Sequence, residues 1–218
     1  MRRSAPPSVT APLATTLDAA PRLVVRQARD WAELVGWESP NRYALLTEDG
    51  ALAGWALEET GGAGRLFARW FLKANRPFEM RVVAASEGGA GPRALQLRRP
   101  FTWLFARLEV TGEGGQPLGT IQQRFSLLRR KLDVVTPDGR LLARIVGPWF
   151  RPWTFVVLRG ESDVELGRIE KRWSGAVSEL FTDADTFLVT FGRADAALRR
   201  LLLAAAVLVD FRWFENTE

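Results

Sequence analysis

The segment from Asp195 to Glu215, DAALRRLLLAAAVLVDFRWFE, limits the possible folds of this chain more than any other. It contains strong helix formers and neither glycine nor proline, and its middle is apolar on every side of a helix. Such a helix has to be surrounded by other apolar atoms. Its nine central residues extend about 14 Å, whereas the hydrocarbon of a bilayer is about 30 Å thick. We therefore expect a central core helix formed by Leu201, Leu202, Leu203, Ala204, Ala205, Ala206, Val207, Leu208 and Val209.

A transmembrane helix stays open as an alternative for this segment. The stretch from Ala196 to Phe214 has a membrane-like length, but it carries Arg199, Arg200, Asp210 and Arg212. Each of these charged residues costs about 2.5 to 3.5 kcal/mol if it is deeply inserted. Near the ends of a span, however, long charged side chains can reach the interface.

Composition excludes several kinds of chemistry. The chain has neither cysteine nor histidine, which excludes thiol nucleophiles, Ser-His-Asp triads and thiolate zinc sites. The net charge of +5 is carried almost entirely by arginine, because only Lys73, Lys131 and Lys171 are lysines. Arginine binds phosphate in a bidentate manner, so anionic lipid head groups and nucleic acid are both plausible partners. The alternative is a high-GC genome that encodes basic residues as arginine.

The first 21 residues are rich in Pro, Ala, Ser and Thr without periodicity, and they predict a disordered tail. Arg2 and Arg3 are not followed by an apolar segment, so we expect no signal peptide. We expect a cytoplasmic protein, peripheral at the inner or plasma membrane, with one domain over residues 22–218.

Twelve short runs typical of β-strands follow before the helix. Turn sequences such as Glu48-Asp49-Gly50 and Pro137-Asp138-Gly139 separate several of them, and one helical turn is expected at Trp31 to Leu34. The predicted strands are Leu23 to Gln27, Arg42 to Leu46, Ala51 to Glu59, Glu79 to Ala84, Ala94 to Arg98, Phe101 to Thr111, Leu118 to Arg124, Lys131 to Thr136, Arg140 to Val146, Trp153 to Leu158, Val164 to Lys171 and Thr186 to Phe191.

A weak repeat indicates how these strands are arranged. The pattern Leu, small, any, Ile recurs every 24 residues, beginning at Leu118, Leu142 and Leu166. Because 24 residues make one hairpin, successive strands should pair antiparallel. About eight strands already close a barrel filled by side chains, so twelve leave a lumen that needs an apolar occupant. We predict a mainly β fold, a twelve-stranded closed antiparallel barrel enclosing the hydrophobic C-terminal helix.

Two segments resemble the C-terminal half of the phospholipid scramblase family. They are GRIEKRWSGAVSELFTDADTFLVTF (Gly167 to Phe191) and LLLAAAVLVDFRWFE (Leu201 to Glu215). The matching motifs comprise Lys171, Trp173, Ser174 and Gly175; Phe181 to Phe187; and Asp210, Phe211, Phe214 and Glu215. The resemblance implies a tubby-like fold, in agreement with the strand count, and calcium-dependent movement of phospholipids between leaflets without ATP. We take the chain for a bacterial member of that family.

The resemblance also implies a calcium-binding segment that begins at Asp183. The family has an acidic residue at the twelfth position of this segment, whereas here Ala194 occupies it and Asp195 follows one residue later. We therefore expect at most a weak calcium site formed by Asp183, Asp185 and Asp195. Turns in which aspartate caps the backbone are the alternative. The acylated Cys-rich stretches of eukaryotic members are missing too.

Aromatic residues and arginines occur together in three further segments: LFARWF (66–71), TWLF (102–105) and GPWFRPWTF (147–155). This composition is typical of a membrane interface. The candidate lipid contacts are Trp70, Phe71, Trp103, Trp149, Phe150 and Trp153. The alternative is that these rings cap the ends of a large barrel.

Two basic clusters have a functional and a structural interpretation. Lys171 to Trp173 could bind a phosphate or could form a charged strand end. The cluster Arg124, Arg129, Arg130 and Lys131 surrounds the turn Ser126 to Leu128 and is typical of a solvated loop.

The sequence supports two functions. The first is a lipid-binding scramblase that moves phospholipids between leaflets without ATP. The second is a tubby-like module that binds anionic lipids or a protein partner without scrambling. No acid and base pair for covalent chemistry can be named. Nucleic-acid binding is not expected, because its motifs are missing, and the oligomeric state stays open.

Overall fold

The computed structural model describes residues 13–27, 41–59, 77–86, 89–148, 150–151, 153–172 and 186–214. Within these ranges the chain forms two helices and twelve strands. The helices are α1 (Leu13–Ala19) and α2 (Ala196–Trp213). The strands are β1 (Arg22–Gln27), β2 (Arg42–Leu46), β3 (Leu52–Glu58), β4 (Phe78–Ser86), β5 (Gly89–Arg99), β6 (Arg107–Gly112), β7 (Pro117–Arg124), β8 (Arg129–Val135), β9 (Leu141–Pro148), β10 (Thr154–Arg159), β11 (Glu165–Arg172) and β12 (Thr186–Thr190).

The strands form a closed antiparallel barrel. Each strand pairs with its neighbours in the sequence, and β12 closes the barrel by pairing with β1, with Leu23 opposite Val189. On its other side β1 pairs with β2, where Val25 lies opposite Leu45. The twelve-stranded closed barrel predicted from the sequence is therefore confirmed.

Helix α2 fills the interior of this barrel. Every residue from Leu201 to Phe211 is at most 3% exposed. The apolar residues of this segment share one core cluster with inward-facing strand residues such as Ile121 and Ile145. Asp195 caps the beginning of the helix, because its Oδ1 accepts a hydrogen bond from the Leu198 N–H at 2.8 Å. The predicted core helix is confirmed, and neither described helix is both long and apolar enough to cross a bilayer.

The 24-residue repeat reflects the contact between the barrel and α2. Its small residues, Gly119 in β7 and Ala143 in β9, face inward together with the buried isoleucines two positions later. A Cβ added at Gly119 would lie 2.5 Å from the Val135 carbonyl oxygen and 3.3 Å from the Leu201 methyl carbons. A larger residue at Gly119 would therefore clash with the backbone of β8 and also crowd Leu201 of the helix.

The expected disordered tail over residues 1–21 is wrong for residues 13–19, which form α1. Leu13 and Leu17 are fully buried in the barrel core. Arg199 of α2 donates hydrogen bonds to the carbonyl oxygens of Leu17 and Ala20, at 3.0 and 2.7 Å. Burial of two leucines and capping of the α1 carbonyls stabilise a helix that composition alone did not indicate. Residues 1–12 lie outside the described ranges.

One predicted strand also begins later than expected. The run Phe101 to Thr111 was predicted as a single strand, but β6 begins only at Arg107 and residues 101–106 form a loop. This segment lacks the alternation of a half-buried strand, because Trp103, Leu104 and Phe105 are all exposed. The helical turn expected at Trp31 to Leu34 lies outside the described residues.

A second apolar cluster lies on the outward face of strands β1 to β4 and β12. Its buried members alternate along the strands with residues of the barrel core, so both faces of these strands are apolar. The cluster comprises Val24, Ala44, Leu46, Leu52, Trp55, Leu57 and Val83, with Ala85 and Leu188 packed against it.

Candidate functional site

The two ends of the barrel differ in chemistry. Because successive strands run in opposite directions, the connections after odd-numbered strands all lie at one end. We call this end the aromatic end and define it by three loops, of which the structure describes residues 100–106 after β5, residues 125–128 after β7, and residues 150, 151 and 153 after β9. Helix α2 begins at the opposite end, beside α1, and it finishes at the aromatic end with Trp213.

The exposed apolar side chains are concentrated at the aromatic end. Among the residues that the structure describes, ten large apolar side chains are exposed, and nine of them lie in the three loops. Trp103 is 82% and Leu104 is 71% exposed, whereas the tenth residue, Val164, lies at the α1 end and is 41% exposed. The nine are Phe101, Trp103, Leu104, Phe105, Phe125, Leu127, Leu128, Phe150 and Trp153.

Contacts between loops hold this apolar surface together. The rings of Phe105 and Phe125, from different loops, meet edge-on with their centroids 6.4 Å apart. At the base of the same two loops, the Gln123 N–H donates to the Ala106 carbonyl oxygen at 2.7 Å, and the Ala106 N–H donates to Gln123 Oε1 at 3.1 Å. The first two loops therefore present one continuous apolar surface. Exposed apolar patches of this kind usually mark binding sites.

Exposed arginines surround the apolar surface. Arg107 and Arg124 flank the first two loops, and Arg129 and Arg151 flank the second and third. Arg107 lies 3.4 Å from Glu109, and Arg124 lies 3.3 Å from Asp133. Rings that enter the head-group region, next to guanidinium groups that bind phosphates, are the combination found on proteins that lie on membranes.

The predicted lipid contacts can be compared with this surface. Trp103, Phe150 and Trp153 lie in its loops, and Trp103 and Phe150 are too exposed to serve as caps of the barrel core. Trp149, Trp70 and Phe71 lie outside the described residues. Lipid contact by all six stays a prediction.

Sequence reasoning did not select six of the nine exposed residues. Phe125, Leu127 and Leu128 belong to a turn that was interpreted as a solvated basic loop, and Phe101, Leu104 and Phe105 to an expected strand. The signal in the turn was its composition, because phenylalanine and two leucines are unusual in a turn bordered by Arg124 and Arg129.

The calcium hypothesis is not tested by this geometry. Asp183 and Asp185 lie outside the described residues. Asp195 caps the helix at the α1 end, whereas Thr186 begins β12 at the opposite end of the barrel. Within the described part of the chain, no three acidic side chains cluster in a way that could hold a metal. The weak calcium site therefore stays a prediction.

Buried polar side chains lie between the apolar barrel core and the aromatic end. Tyr43 Oη donates a hydrogen bond of 2.6 Å to Asp210 Oδ2, and both residues are buried. Nearby in the sheet, Asn41 Nδ2 donates to Glu58 Oε2, also at 2.6 Å. These bonds satisfy buried carboxylates on the β2–β3 side, which would otherwise cost several kcal/mol.

The barrel architecture defines the class of fold. A crystal structure of an Arabidopsis thaliana protein has the same fold, with a TM-score of 0.52 and 17% sequence identity, over 88% of this chain and 94% of that one. The fold is thus the tubby-like barrel that the sequence resemblance implied. The sequence model of the Scramblase family matches residues 1–216, and the chain belongs to this family.

Relatives from animals and yeast agree with this assignment. Phospholipid scramblase 1 of Mus musculus is 28% identical over 216 residues, which cover 90% of this chain and 62% of the mouse protein. Phospholipid scramblase 1 of Rattus norvegicus is 27% identical, over 100% of this chain and 67% of the rat protein. A phospholipid scramblase family protein of Schizosaccharomyces pombe is 27% identical over 87% of this chain and 50% of its own length. The chain therefore spans about half to two thirds of these relatives.

Proposed function

We propose that the protein docks on phospholipid membranes through its aromatic end and lets phospholipids move between the two leaflets without ATP. Membership of the Scramblase family and the names of its relatives support the activity. The observation that carries the docking mode is that nine of the ten exposed large apolar side chains in the described ranges lie at one end of the barrel.

The chemistry of the aromatic end suits a bilayer surface. Aromatic and leucine side chains gain about 1.5 to 3 kcal/mol each when they are fully removed from water. Arginines around them would bind lipid phosphates at head-group depth, each worth about 1 kcal/mol on an anionic surface. Docking of this kind is peripheral, and we place it on the cytoplasmic face of the inner or plasma membrane.

No chemical bond is made or broken in this activity, and no energy source is required, because scrambling only equalises the two leaflets. Lipids would cross outside the barrel rather than through it. The interior is occupied by α2, whose residues from Leu201 to Phe211 are at most 3% exposed. A polar head group would find no wetted path there, so we assign the crossing to the bilayer next to the inserted loops.

The filled interior also favours a second candidate function. A barrel without a lumen is suited to bind anionic head groups without moving lipid, as a tubby-like module would. The two candidates share the docking surface and differ only in leaflet exchange.

A dithionite-quench assay on vesicles with a fluorescent head group separates these candidates. The purified protein should speed leaflet exchange, with and without calcium. The variant Leu127→Ser with Leu128→Ser should lose both vesicle binding and exchange, because both residues project from the aromatic end. The control is Val164→Ser, which changes one exposed apolar residue at the α1 end. Sedimentation with vesicles but no exchange would favour the binding module, and equal loss in both variants would refute end-on docking.

A further inference from the structure

One glutamine side chain lies where the first two loops of the aromatic end meet helix α2. Gln123 occupies the last inward-facing position of β7, since it lies on the same face as the fully buried Ile121. Ala106 comes just before β6 and is also buried. Because Arg107 lies opposite Gln122 in the β6–β7 pair, Ala106 lies opposite Gln123. Both side chains therefore face the barrel interior at the base of the first two loops.

The amide oxygen of Gln123 accepts two hydrogen bonds. The donors are the Ala106 N–H at 3.1 Å and Arg212 Nε at 2.8 Å. Since both groups donate to the same atom, that atom is the oxygen of the amide and not its nitrogen. In a regular antiparallel ladder the Ala106 N–H would bond to the main-chain carbonyl of Gln123. Here the side-chain oxygen takes that bond, so one atom joins loop 100–106, β7 and α2.

Both donors need this acceptor. Arg212 lies in the last turn of α2, and burial lowers its pKa below the ordinary value because the guanidinium group has lost part of its water. The oxygen of Gln123 replaces part of that water, and it also satisfies the Ala106 N–H. Removing the oxygen would leave each donor short of one acceptor, which costs more than the bond itself contributes.

The end of α2 is itself held against the barrel wall. Trp213 stacks on Phe155 of β10 with the ring centroids 5.3 Å apart. The guanidinium carbon of Arg130 lies 5.4 Å from the ring centre of Trp213 and 5.5 Å from that of Phe214. The ammonium nitrogen of Lys171 lies 4.5 Å from the ring centre of Phe214. A loop that is bonded to the last turn of α2 is therefore tied to a fixed point of the barrel.

The third loop is held in another way. The Arg151 N–H donates to the Pro148 carbonyl oxygen, and the Thr154 N–H donates to the Arg151 carbonyl oxygen, both at 3.1 Å. These bonds form two successive turns. The Lys171 N–H then donates to the Trp153 carbonyl oxygen at 2.8 Å. Main-chain bonds therefore fix the third loop, whereas a single side chain links the first two loops to α2.

We infer that Gln123 is a positioning residue of the proposed docking surface: its amide oxygen ties loops 100–106 and 125–128 to α2 and orders their apolar side chains before a membrane is met. This inference rests on the proposed docking through the aromatic end and names the residue that prepares it. Phe105 and Phe125, one from each loop, already contact each other without a membrane. Loops that are ordered in advance lose less conformational freedom on insertion, so they bind more tightly.

The test compares two neighbouring glutamines. Gln123→Met keeps the length and the neutral charge of the side chain and removes its amide oxygen. The matched control, Gln122→Met, makes the same change on the outer face of β7. At about twofold to tenfold for each side chain that has to be ordered on binding, Gln123→Met should bind phosphatidylglycerol vesicles about tenfold more weakly. The control should stay within about twofold, because Gln122 orders neither loop.

A second control separates loop position from general stability. Tyr43→Phe removes another buried hydrogen bond of α2, the one to Asp210, on a wall of the barrel to which neither loop belongs. It should lower the thermal stability as Gln123→Met does, because each variant leaves a buried polar group short of a partner. Its vesicle affinity should nevertheless stay within about twofold, since the loops keep their link to α2.

Amide hydrogen exchange measures the order of the loops without a membrane. The Ala106 N–H should be protected in the wild type, and Gln123→Met should speed its exchange about tenfold, as the loss of one hydrogen bond allows. Gln123→Glu restores an oxygen for both donors and should restore the protection. A general loss of stability would instead speed exchange across the whole barrel.

The outcomes are distinct. Equal losses of vesicle affinity in Gln123→Met and Tyr43→Phe would overturn the inference, and so would unchanged exchange of the Ala106 N–H in Gln123→Met. If Gln123→Met does not fold, the wild type decides, because protection that appears only after vesicles are added would mean that the membrane orders the loops. Failure of the wild type to bind vesicles would overturn the proposed function instead, while exchange at Ala106 would still decide the role of Gln123.

Discussion

Two leucine-to-alanine substitutions should separate the core of the protein from its proposed membrane surface. Leu202, in the middle of α2, is 0% exposed, and Leu104, in the loop before β6, is 71% exposed. The chemical change is the same at both positions. Leu202→Ala should therefore destabilise the fold and leave membrane binding by the folded protein intact, and Leu104→Ala should do the reverse.

The magnitudes follow from burial. Removing the leucine at 202 takes about three carbon groups out of the core, about 2.4 kcal/mol at about 0.8 kcal/mol each. The cavity that remains between helix and barrel wall adds a further 1 to 2 kcal/mol, so we expect a loss of about 3 to 4 kcal/mol. Leu104→Ala should change the free energy of unfolding by less than about 0.5 kcal/mol. At the membrane it should lose about 1 kcal/mol of insertion energy, which is about fivefold in vesicle affinity.

Urea unfolding followed by circular dichroism measures the first quantity, and co-sedimentation with phosphatidylglycerol vesicles well below the urea transition measures the second. A stable Leu202→Ala protein with weakened vesicle binding would mean that α2 leaves the barrel to contact lipid. A large loss of stability in Leu104→Ala would mean that the loop belongs to the core. Either result would refute the separation of roles between helix and loops.

Three further predictions concern single polar groups. Tyr43→Phe removes the donor to the buried carboxylate of Asp210 and should lower stability by about 1 to 3 kcal/mol in urea unfolding, whereas an unchanged midpoint would contradict this hydrogen bond. Asp195→Ala removes the α2 cap and should cost about 1 kcal/mol, which Asp195→Asn should largely restore. Asp183→Ala with Asp185→Ala should leave basal leaflet exchange nearly unchanged, because a calcium site with few charged ligands binds at roughly 0.1 to 1 mM. Calorimetry that finds a micromolar site lost in this variant would contradict the last prediction.

Much of the fold could be predicted because its signals are local. Alternation and turn residues located the twelve strands, and the apolar run of α2 required an enclosure that only a wide barrel provides. Helix α1 could not be predicted, since Leu13 and Leu17 are two apolar residues in a segment rich in Pro, Ala and Thr. Its stability depends on contacts with Arg199, about 180 residues later in the chain.

The candidate site was predicted less completely, because its members meet through topology. The composition of single segments suggested Trp103, Phe150 and Trp153. Their loops lie at the same end of the barrel because each follows an odd-numbered strand, and this is known only once the strands have been numbered and paired. Arg130 and Lys171, which contact the end of α2, each had the sequence of an ordinary charged strand end. Their approach to Phe214 depends on the register of four strands and on where α2 ends, and neither is encoded locally.

The most direct test of end-on docking uses the absence of cysteine from the natural chain. Leu104→Cys and Val164→Cys each provide one attachment point for an environment-sensitive fluorophore, at opposite ends of the barrel. With vesicles that contain nitroxide-labelled lipids, we expect a blue shift and strong quenching of the probe at position 104, and no change at position 164. Equal quenching at both positions, or quenching at position 164 alone, would contradict docking through the aromatic end.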